Sequence, residues 1–462
     1  MSRPVSAGRI FQRWSRRSFV MVCETSSKRS HVMSKREKES LDGIKRGWGK
    51  RLWSTGKLAA SAAQLATRQV LGARGEQDRV LGETLAKEMD KMKGMAMKVG
   101  QILSYFDGIL PEETHAALRS LQQGVQPVAF EKMKASIEEA FGQPLEELFE
   151  RFEEEPIASA SIGQVYRGRL DGHDVAVKAQ YPGIAETIMS DFSMLQHISR
   201  IATLATSVDG PAIVRELRER FAEECDYIQE ARHQRAFREA FIDTPEILIP
   251  RVFAERTCQT VITSEWCDGD DFYTFAARAS REEKDVVARL LMRFAYECMF
   301  SLGMLNADPH PGNYLFPQDG RVVFLDFGCV KHFPKAFLAH ERRLQLILMD
   351  NRKEDFRDAL METGMVAKPK KFDFDAHWEM LRHMSKPYTV KHFRFTSDYI
   401  KRGMEYNQPS NTNMLYLAIP PEWIWWQRLQ WGLHAVLMRL DAEGDFQTLF
   451  RDILSTSRVG DI

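Results

Sequence analysis

The sequence predicts an α+β fold, in which a helical segment, a segment of mixed strands and helices, and a mostly helical segment follow one another along the chain. Apolar residues recur at helical spacing through residues 58–152. Two β-rich runs, residues 162–166 and 175–178, then flank a turn that contains Gly172, which is the arrangement of a hairpin. Helical spacing returns at residues 190–206 and 212–240 and dominates beyond about Pro334, so strands are expected mainly in the middle of the chain.

The composition is that of a globular protein. Of the 462 residues, 44% are hydrophobic and 28% are charged, which predicts a sizeable core in two or three structural units. Lysine and arginine together equal aspartate and glutamate at 64 each, so no nucleic-acid partner is expected. The six cysteines form no C-x-x-C pair, which argues against a zinc site or a disulfide framework. No run of about 18 consecutive apolar residues occurs, and we predict no transmembrane helix.

Residues 1–57 are basic and predict a disordered tail. The only acids between residues 3 and 57 are Glu24, Glu37, Glu39 and Asp42. The scattered cysteines indicate a reducing compartment and hence a cytoplasmic protein, and the basic tail favours peripheral attraction to an anionic membrane. The same acid-poor, Arg- and Ser-rich composition is typical of transit peptides, so a mitochondrial or plastid location is the alternative if residues 1–32 are such a peptide.

The helical front, residues 58–152, is predicted to break at Gly72 and Gly75. Pro111 then opens a new helix with acids in its first turn, and Gly142 separates two short helices near the end of the segment. We interpret this front as a helical extension that precedes the β-rich part of the chain.

Two lobes are predicted after the extension. Residues 153–268 contain the hairpin and two later β-rich runs, 247–252 and 260–266. Residues 269–462 contain a long amphipathic helix at 284–302 and further helical sequence to the end.

Three polar residues in the predicted second lobe have the spacing of a phosphoryl-transfer centre. Asp308 opens the sequence D-P-H-P-G-N, Asn313 follows it five positions later, and Asp326 opens D-F-G after the β-rich run 322–325. In protein kinases the first aspartate orients or deprotonates the nucleophile, and the asparagine and the D-F-G aspartate hold Mg²⁺. We therefore predict Asp308 as catalytic, Asn313 and Asp326 as metal ligands, and ATP and Mg²⁺ as cofactors.

Lys178 ends the run V-A-V-K, which is close to the V-A-I-K strand whose lysine contacts the α- and β-phosphates. Such a lysine needs an acidic partner from a following helix to stay charged and correctly aimed. Glu224 or Glu230 can supply it, and the sequence leaves the choice open.

Residues 158–165 read A-S-A-S-I-G-Q-V and keep the spacing of the kinase phosphate loop G-x-G-x-x-G-x-V, with alanine at the first two glycines. Alanine resists positive φ and adds a methyl group, so we expect altered rather than absent nucleotide handling. The residues predicted to line the nucleotide here are Ala158, Ser159, Ala160, Ser161, Gly163 and Val165.

Each signal alone has a plain structural interpretation: a chance D-F-G, an ordinary Pro/Gly turn, a solvated helix face or a helix-entry cap. The motifs occur together in the order that a kinase needs. The ordered set predicts a bilobal protein-kinase-like fold, with an N-terminal helical extension and a mostly helical C-terminal lobe.

The motifs resemble the AarF/UbiB family of atypical kinase-like proteins, which includes the mitochondrial ADCK members linked to coenzyme Q biosynthesis. The resemblance spans residues 89–330. Besides the alanine-rich loop and the D-P-H-P-G-N and D-F-G sequences, it includes K-V-G-Q at residues 98–101 and the Glu224-x-Asp226 element. It implies that Lys98, Gly100 and Gln101 lie on an extension across the cleft and regulate access to it.

The same resemblance implies that Glu224 and Asp226 contact that extension or Lys178, and that the linker from Glu265 to Cys267 passes the adenine. It also implies ATPase activity in isoprenoid-quinone or other lipid metabolism, often at a membrane, rather than protein phosphorylation. The chain departs from the family at His233, where asparagine is usual, and it lacks the C-terminal spans of some bacterial members.

Three functions remain open at this stage. The first is a Mg²⁺-dependent ATPase or small-molecule kinase that acts on a quinone precursor or lipid. The second is a protein kinase, although no activation segment follows Gly328. The third is a non-catalytic, nucleotide-gated lipid-binding or scaffold protein, suggested by the basic N-terminus and by Trp423, Trp425, Trp426 and Trp431, because tryptophan is favoured at bilayer interfaces. Packing of these tryptophans in a core is the alternative.

Overall fold

The computed structural model describes residues 128–160, 162–186, 189, 218–219, 221–406 and 411–456. The predicted tail, residues 1–57, and residues 58–127 of the predicted extension lie outside the described residues. In the described part, helices and strands are interspersed up to His332, and helices with only two short strands follow, so the predicted α+β class is confirmed.

The strands, in chain order, are Arg151–Phe152 (β1), Ala158–Ser159 (β2), Gly163–Leu170 (β3), His173–Gln180 (β4), Ile247–Leu248 (β5), Val261–Glu265 (β6), Met304–Asn306 (β7), Tyr314–Leu315 (β8), Val322–Phe324 (β9), Val330–His332 (β10), Phe393–Arg394 (β11) and Glu443–Gly444 (β12). The α-helices are Phe130–Phe141 (α1), Leu145–Leu148 (α2), Tyr227–Ala240 (α3), Phe272–Arg278 (α4), Arg281–Leu302 (α5), Lys335–Met349 (α6), Lys353–Glu362 (α7), Phe374–Met384 (α8), Lys386–Thr389 (α9), Ser397–Tyr406 (α10), Pro421–Arg439 (α11) and Phe446–Thr456 (α12).

A five-stranded antiparallel sheet forms the β-rich part of the molecule. Its order is β1-β3-β4-β6. The strand β2 pairs with the beginning of β3, at Gln164 and Val165, and β1 pairs with the end of β3, at Gly168 and Arg169. The hairpin of β3 and β4 turns at Asp171 and Gly172, whose φ angles of 50° and 76° are those of a tight two-residue hairpin turn. This is the turn that the sequence predicts, although both strands extend beyond the predicted runs.

Buried and partly exposed side chains alternate along β3 and β4, so one face of this hairpin packs against the core and the other faces the cleft. Tyr166, Val175 and Val177 are fully buried and pack with α1 and α2. Met133 and Ile137 of α1 are also fully buried. These two helices therefore share one core with the sheet. The predicted boundary after residue 152 stays a prediction, but this shared core favours a boundary that precedes α1.

On the other face of the hairpin, Val165 lies directly opposite Lys178 in the strand register. Both residues are partly exposed, in contrast to their buried neighbours in sequence. The register thus places the predicted phosphate-loop valine beside the predicted phosphate-binding lysine.

The helical part is built around α5, the long amphipathic helix that the sequence predicts. A capping box between Ser280 and Glu283 begins it, and Gly303, with a φ of 67°, ends it. Leu291, Met292 and Tyr296 on its buried face are at most 1% exposed and join a large core that includes most of the later helices.

Short strands after α5 bring the predicted catalytic loops to one place. The strands β8 and β9 form an antiparallel pair, so Asn313, just before β8, lies near the end of β9 that leads to Asp326. The strands β7 and β10 form a second antiparallel pair, in which Asn306 is opposite Val330. Asp308 follows β7 and Asp326 precedes β10, so the three predicted residues converge.

The tryptophan-rich helix α11 belongs to the core. Trp423 and Trp426 are 5% and 2% exposed, so the interpretation of these two residues as bilayer anchors is wrong, because their rings are packed against the protein. Trp425 and Trp431 are partly buried against the same core. Over the ranges that the structure describes, none of the helices combines the length and hydropathy needed to cross a membrane.

Candidate active site

Lys178 lies at the centre of the candidate site. Its Nζ donates to Glu230 Oε1 and Oε2 at 2.8 and 3.1 Å and to Asp326 Oδ2 at 3.3 Å. Lys178 is provided by β4 and Glu230 by the first turn of α3, while Asp326 follows β9. One ammonium group therefore joins three segments, and the structure places Glu230 against it, which decides between the two candidate partners.

Two carboxylates share this one ammonium, and their burial differs. Burial alone would lower the pKa of Lys178, but the charges of Asp326 and Glu230 outweigh it and hold that pKa well above its usual value. The side chain of Glu230 is 3% exposed and that of Asp326 is 35% exposed. Burial raises the pKa of Glu230 to about 7, against the attraction of Lys178 and with a further rise from the charge of Asp326.

Asp308 and Asn313 face each other across the D-P-H-P-G-N loop. The Nδ2 of Asn313 donates to the carbonyl oxygen of Asp308 at 3.0 Å and to its Oδ2 at 3.2 Å. A short 3₁₀ turn over Pro311–Asn313 brings the two residues together, and it is capped by the ring of His310, whose Nδ1 accepts from the amide of Gly312. Because the amide nitrogen of Asn313 donates to Asp308, its amide oxygen Oδ1 is the atom that could coordinate a cation.

The D-F-G segment is fixed by backbone contacts on both sides. Asp326 Oδ1 accepts from the amide of Gly328 at 2.9 Å, and the carbonyl of Asp326 accepts from Asn306 Nδ2 at 2.8 Å. Phe327 is fully buried against Phe237 of α3, with ring centroids 5.2 Å apart. The orientation of Asp326 is therefore set by α3 and β7 together.

Sequence reasoning missed Asn306 as a site residue and noted His233 only as a departure from the family. The His233 Nδ1 lies 3.3 Å from the carbonyl oxygen of Phe327, and because a carbonyl only accepts, this nitrogen carries the proton. Burial lowers the pKa of His233, which favours the neutral ring. The sequence does contain one indication of a role for Asn306, since this polar residue lies only two positions before Asp308.

The predicted phosphate loop is a closed hairpin. Ala158 and Ser159 pair with Val165 and Gln164, and the amide of Ala160 donates to the carbonyl of Gly163 at 2.8 Å. Ser161 lies outside the described residues. The amide of Ala160 is thus used within the loop, and altered contacts to phosphate in this hairpin stay a prediction.

Gly163 is required for packing rather than for a positive φ angle. A Cβ atom there would lie 2.2 Å from the carbonyl oxygen of Ala179 on the neighbouring strand, and backbone cannot move aside cheaply. We expect Gly163→Ala to lower the free energy of unfolding by about 2–3 kcal/mol, because it forces the β3–β4 ladder apart. Chemical denaturation measures this loss.

The matched control is Gly168→Ala on the same strand. Its Cβ would lie 3.3 Å from a methyl group of Val175 and 3.4 Å from the carbonyl of Arg151, so small adjustments suffice. Equal stability losses in the two variants would contradict the backbone-clash explanation for Gly163.

The other predicted residues occupy the periphery of this centre. Asp226 caps α3, since its Oδ1 accepts from the amide of Gln229 at 2.9 Å, and the charge of Glu224 contributes to the raised pKa of Glu230.

The predicted adenine linker begins at the end of β6, where Oε2 of Glu265 accepts from the amide of Arg251. Cys267 follows in the linker, and burial raises its thiol pKa to about 12. Lys98, Gly100 and Gln101 lie outside the described residues.

A further side chain reaches the centre from α11, and sequence reasoning did not identify it. The Nη2 of Arg428 donates to Asp308 Oδ1 at 3.2 Å. The two residues are 120 positions apart, and no motif links them.

The two-lobed arrangement, with a lysine–glutamate pair on the sheet side and the Asp308, Asn313 and Asp326 set on the helical side, defines a kinase-like protein. A family model described as the ABC1 atypical kinase-like domain matches residues 120–359, which is more than half of the chain. The chain belongs to this family of AarF/UbiB atypical kinase-like proteins, and the resemblance stated from its motifs is confirmed.

Relatives with similar sequences are found in fungi and plants. The chain is 26% identical over 453 residues to the protein named atypical kinase COQ8, mitochondrial, of Saccharomyces cerevisiae, covering 94% of this chain and 90% of the relative. It is 30% identical over 289 residues to the protein ACTIVITY OF BC1 COMPLEX KINASE 3, chloroplastic, of Arabidopsis thaliana, covering 61% of this chain and 40% of that relative.

A solved structure supports the fold. The Rv3197 protein of Mycobacterium tuberculosis, determined in complex with erythromycin, superposes with a TM-score of 0.64 at 28% sequence identity. The match covers 88% of this chain and 100% of the other. The predicted bilobal kinase-like fold is thereby confirmed.

Proposed function

We propose that the chain binds ATP with Mg²⁺ in the cleft around Lys178 and transfers the γ-phosphoryl group to water or to a small molecule, in support of isoprenoid-quinone or other lipid metabolism. The observation that carries the proposal is the position of Lys178 between Glu230 and Asp326. In kinases a lysine held in this way contacts the α- and β-phosphates, and the paired lysine and glutamate are a requirement for activity.

The donor set fits Mg²⁺ held jointly with a nucleotide. Asp326 offers a carboxylate and Asn313 an amide oxygen, and Mg²⁺ typically takes one or two such protein ligands together with phosphate oxygens and waters. No group of three His, Cys, Asp or Glu side chains within the described ranges could hold a metal by itself. When bound, the ion would be held by Asp326 and Asn313 and would neutralise the charge that develops on the phosphates.

Asp308 is the proposed acceptor of the proton. It takes the proton of the attacking hydroxyl group or water, whose oxygen then bonds to the γ-phosphorus. The bond between that phosphorus and the β–γ bridging oxygen breaks, and its electron pair leaves with ADP. Lys178 holds the α- and β-phosphates, and the backbone of the linker from Glu265 to Cys267 would contact the adenine.

A small acceptor is favoured over a protein substrate by the short connection after the D-F-G sequence. After Gly328, β10 begins at Val330 and α6 begins at Lys335, so the chain returns to regular structure almost at once. Protein kinases bind their substrates with help from an activation loop between D-F-G and A-P-E. The metabolic part of the proposal rests on the family and on its mitochondrial and chloroplastic relatives.

Those relatives also favour organellar targeting by residues 1–32. A fluorescent fusion of the whole chain would then enter mitochondria or plastids, while a fusion that lacks residues 1–32 would not. Identical distributions of the two fusions would contradict a targeting role.

Purified protein tests the function directly. We expect ATP hydrolysis that requires Mg²⁺ and stops in EDTA, together with a rise in melting temperature when Mg²⁺ and ATP are added. Absence of both turnover and nucleotide-induced stabilisation would overturn the proposal. Stabilisation without turnover would instead favour the non-catalytic, nucleotide-gated alternative.

A further inference from the structure

The catalytic loop of this chain contacts a helix far away in sequence. Gly432 of α11 faces Pro309, and a Cβ at Gly432 would lie 2.5 Å from the Cγ of that proline. The helix and the loop are therefore in direct contact. Arg428 precedes Gly432 by four residues, so it lies on the same face one turn away.

This contact gives Asp308 a cationic partner. Arg428 Nη2 donates to Asp308 Oδ1 at 3.2 Å, and their side chains are 15% and 30% exposed. The guanidinium carbon also lies 5.2 Å from the ring centroid of Trp425, which limits its freedom. Because Asn313 donates to the other carboxylate oxygen, Oδ2, each oxygen of Asp308 has a defined donor.

The loop cannot supply such a group itself. Residues 308–313 contain no lysine or arginine, and the ring of His310 accepts from the amide of Gly312. A carboxylate with one donor can rotate about its terminal bond, whereas two donors on opposite oxygens fix its plane. Arg428 lies beyond residue 359, where the family match ends.

On this geometry we propose that Arg428 is a positioning residue of the phosphoryl-transfer centre, which holds the Asp308 carboxylate in the orientation that receives the proton of the nucleophile. The inference rests on the proposed function. It assigns to α11 a role in turnover rather than in nucleotide binding, because Arg428 acts on Asp308 and the nucleotide is held by Lys178 and the metal ligands.

The test compares Arg428→Gln, Arg428→Lys and the control Arg439→Gln, an exposed arginine on the same helix. We expect Arg428→Gln to lower kcat for Mg²⁺-dependent ATP hydrolysis about 10- to 100-fold, with KM for ATP and the nucleotide-induced rise in melting temperature within about twofold of wild type. Arg428→Lys keeps the charge without the planar fork and should recover part of kcat. Arg439→Gln should match wild type.

A double variant separates positioning from a general structural effect. If Arg428 acts through Asp308, then Arg428→Gln should lower kcat little further in an Asp308→Asn background. Additive losses, an unchanged kcat, or a raised KM as the only effect would overturn the inference while leaving the proposed function intact. A wild-type protein without turnover would overturn both.

Discussion

Asp326→Asn is expected to abolish Mg²⁺-dependent ATP turnover, with a loss on the order of 10³-fold in kcat. The substitution removes the negative charge that would hold the cation. It also replaces one of the two carboxylate oxygens of Asp326, of which Oδ2 accepts from Lys178 Nζ, by an amide nitrogen. The fold should persist. An asparagine oxygen can still accept from the amide of Gly328, and the lost charge relieves the buried Glu230 of a repulsive neighbour.

Asp319→Asn is the matched control for this prediction. Asp319 lies in the exposed connection between β8 and β9, where its carboxylate pairs with Arg321 at 2.8 Å. It precedes Asp326 by seven residues and lies outside the proposed centre, so turnover should be unaffected. Wild-type turnover in Asp326→Asn would remove Asp326 from the proposed chemistry.

The same variant connects the site to metabolism. A strain without this gene should show altered isoprenoid quinones or lipids, which the wild-type gene restores and the Asp326→Asn gene does not. Restoration by both genes would show that the metabolic role does not need turnover, which supports the scaffold alternative.

Lys178→Met is expected to lower the free energy of unfolding by about 3–5 kcal/mol, because it leaves Glu230 buried without its cation. The loss should depend on pH. The pKa of Glu230 is already about 7 in the folded protein, above its ordinary value of 4.5, so its protonation favours folding as pH falls through 7. Without the ammonium this pKa rises further, and the loss should be larger at pH 8 than at pH 6. Urea denaturation at both values measures it.

Two comparisons sharpen the test. Lys134→Met removes a lysine from an exposed pair with Glu146 and should change stability little. Lys178→Met combined with Glu230→Gln should be more stable than Lys178→Met alone, because the unpaired charge is gone. A loss that is independent of pH, or a double variant with the sum of both single losses, would contradict a coupled pair.

Local patterns in the sequence predicted the elements that depend on neighbouring residues. The hairpin with Asp171 and Gly172 and the helix Arg281–Leu302 follow from turn chemistry and apolar spacing, and both are present. The sequence could not choose between Glu224 and Glu230, which lie six positions apart on two sides of the cap residue Asp226. That choice depends on which helical turn faces β4, and this is a property of packing.

Other features were beyond sequence reasoning because they involve distant segments. The contact of Arg428 with Asp308 joins residues 120 positions apart, and the packing of Trp423 and Trp426 depends on helices that surround α11. The predicted roles of Lys98, Gly100 and Gln101 stay predictions. The motif predicts that Gly163 contacts the nucleotide. The structure shows a second requirement for glycine at this position, because the carbonyl of Ala179 leaves no room for a Cβ atom.

The contact of α11 with the catalytic loop has a consequence for biosynthesis. During translation the ribosome releases Asp308, Asn313 and Asp326 well before Arg428, so a nascent or truncated chain that stops before Pro421 carries every recognisable motif of the centre. Such a chain lacks the donor to Asp308 Oδ1 and the packing of Trp426 and Leu433. A genome survey that counts motifs would therefore classify a gene with a premature stop before Pro421 as intact. The truncated protein would nevertheless lack the α11 side of the phosphoryl-transfer centre.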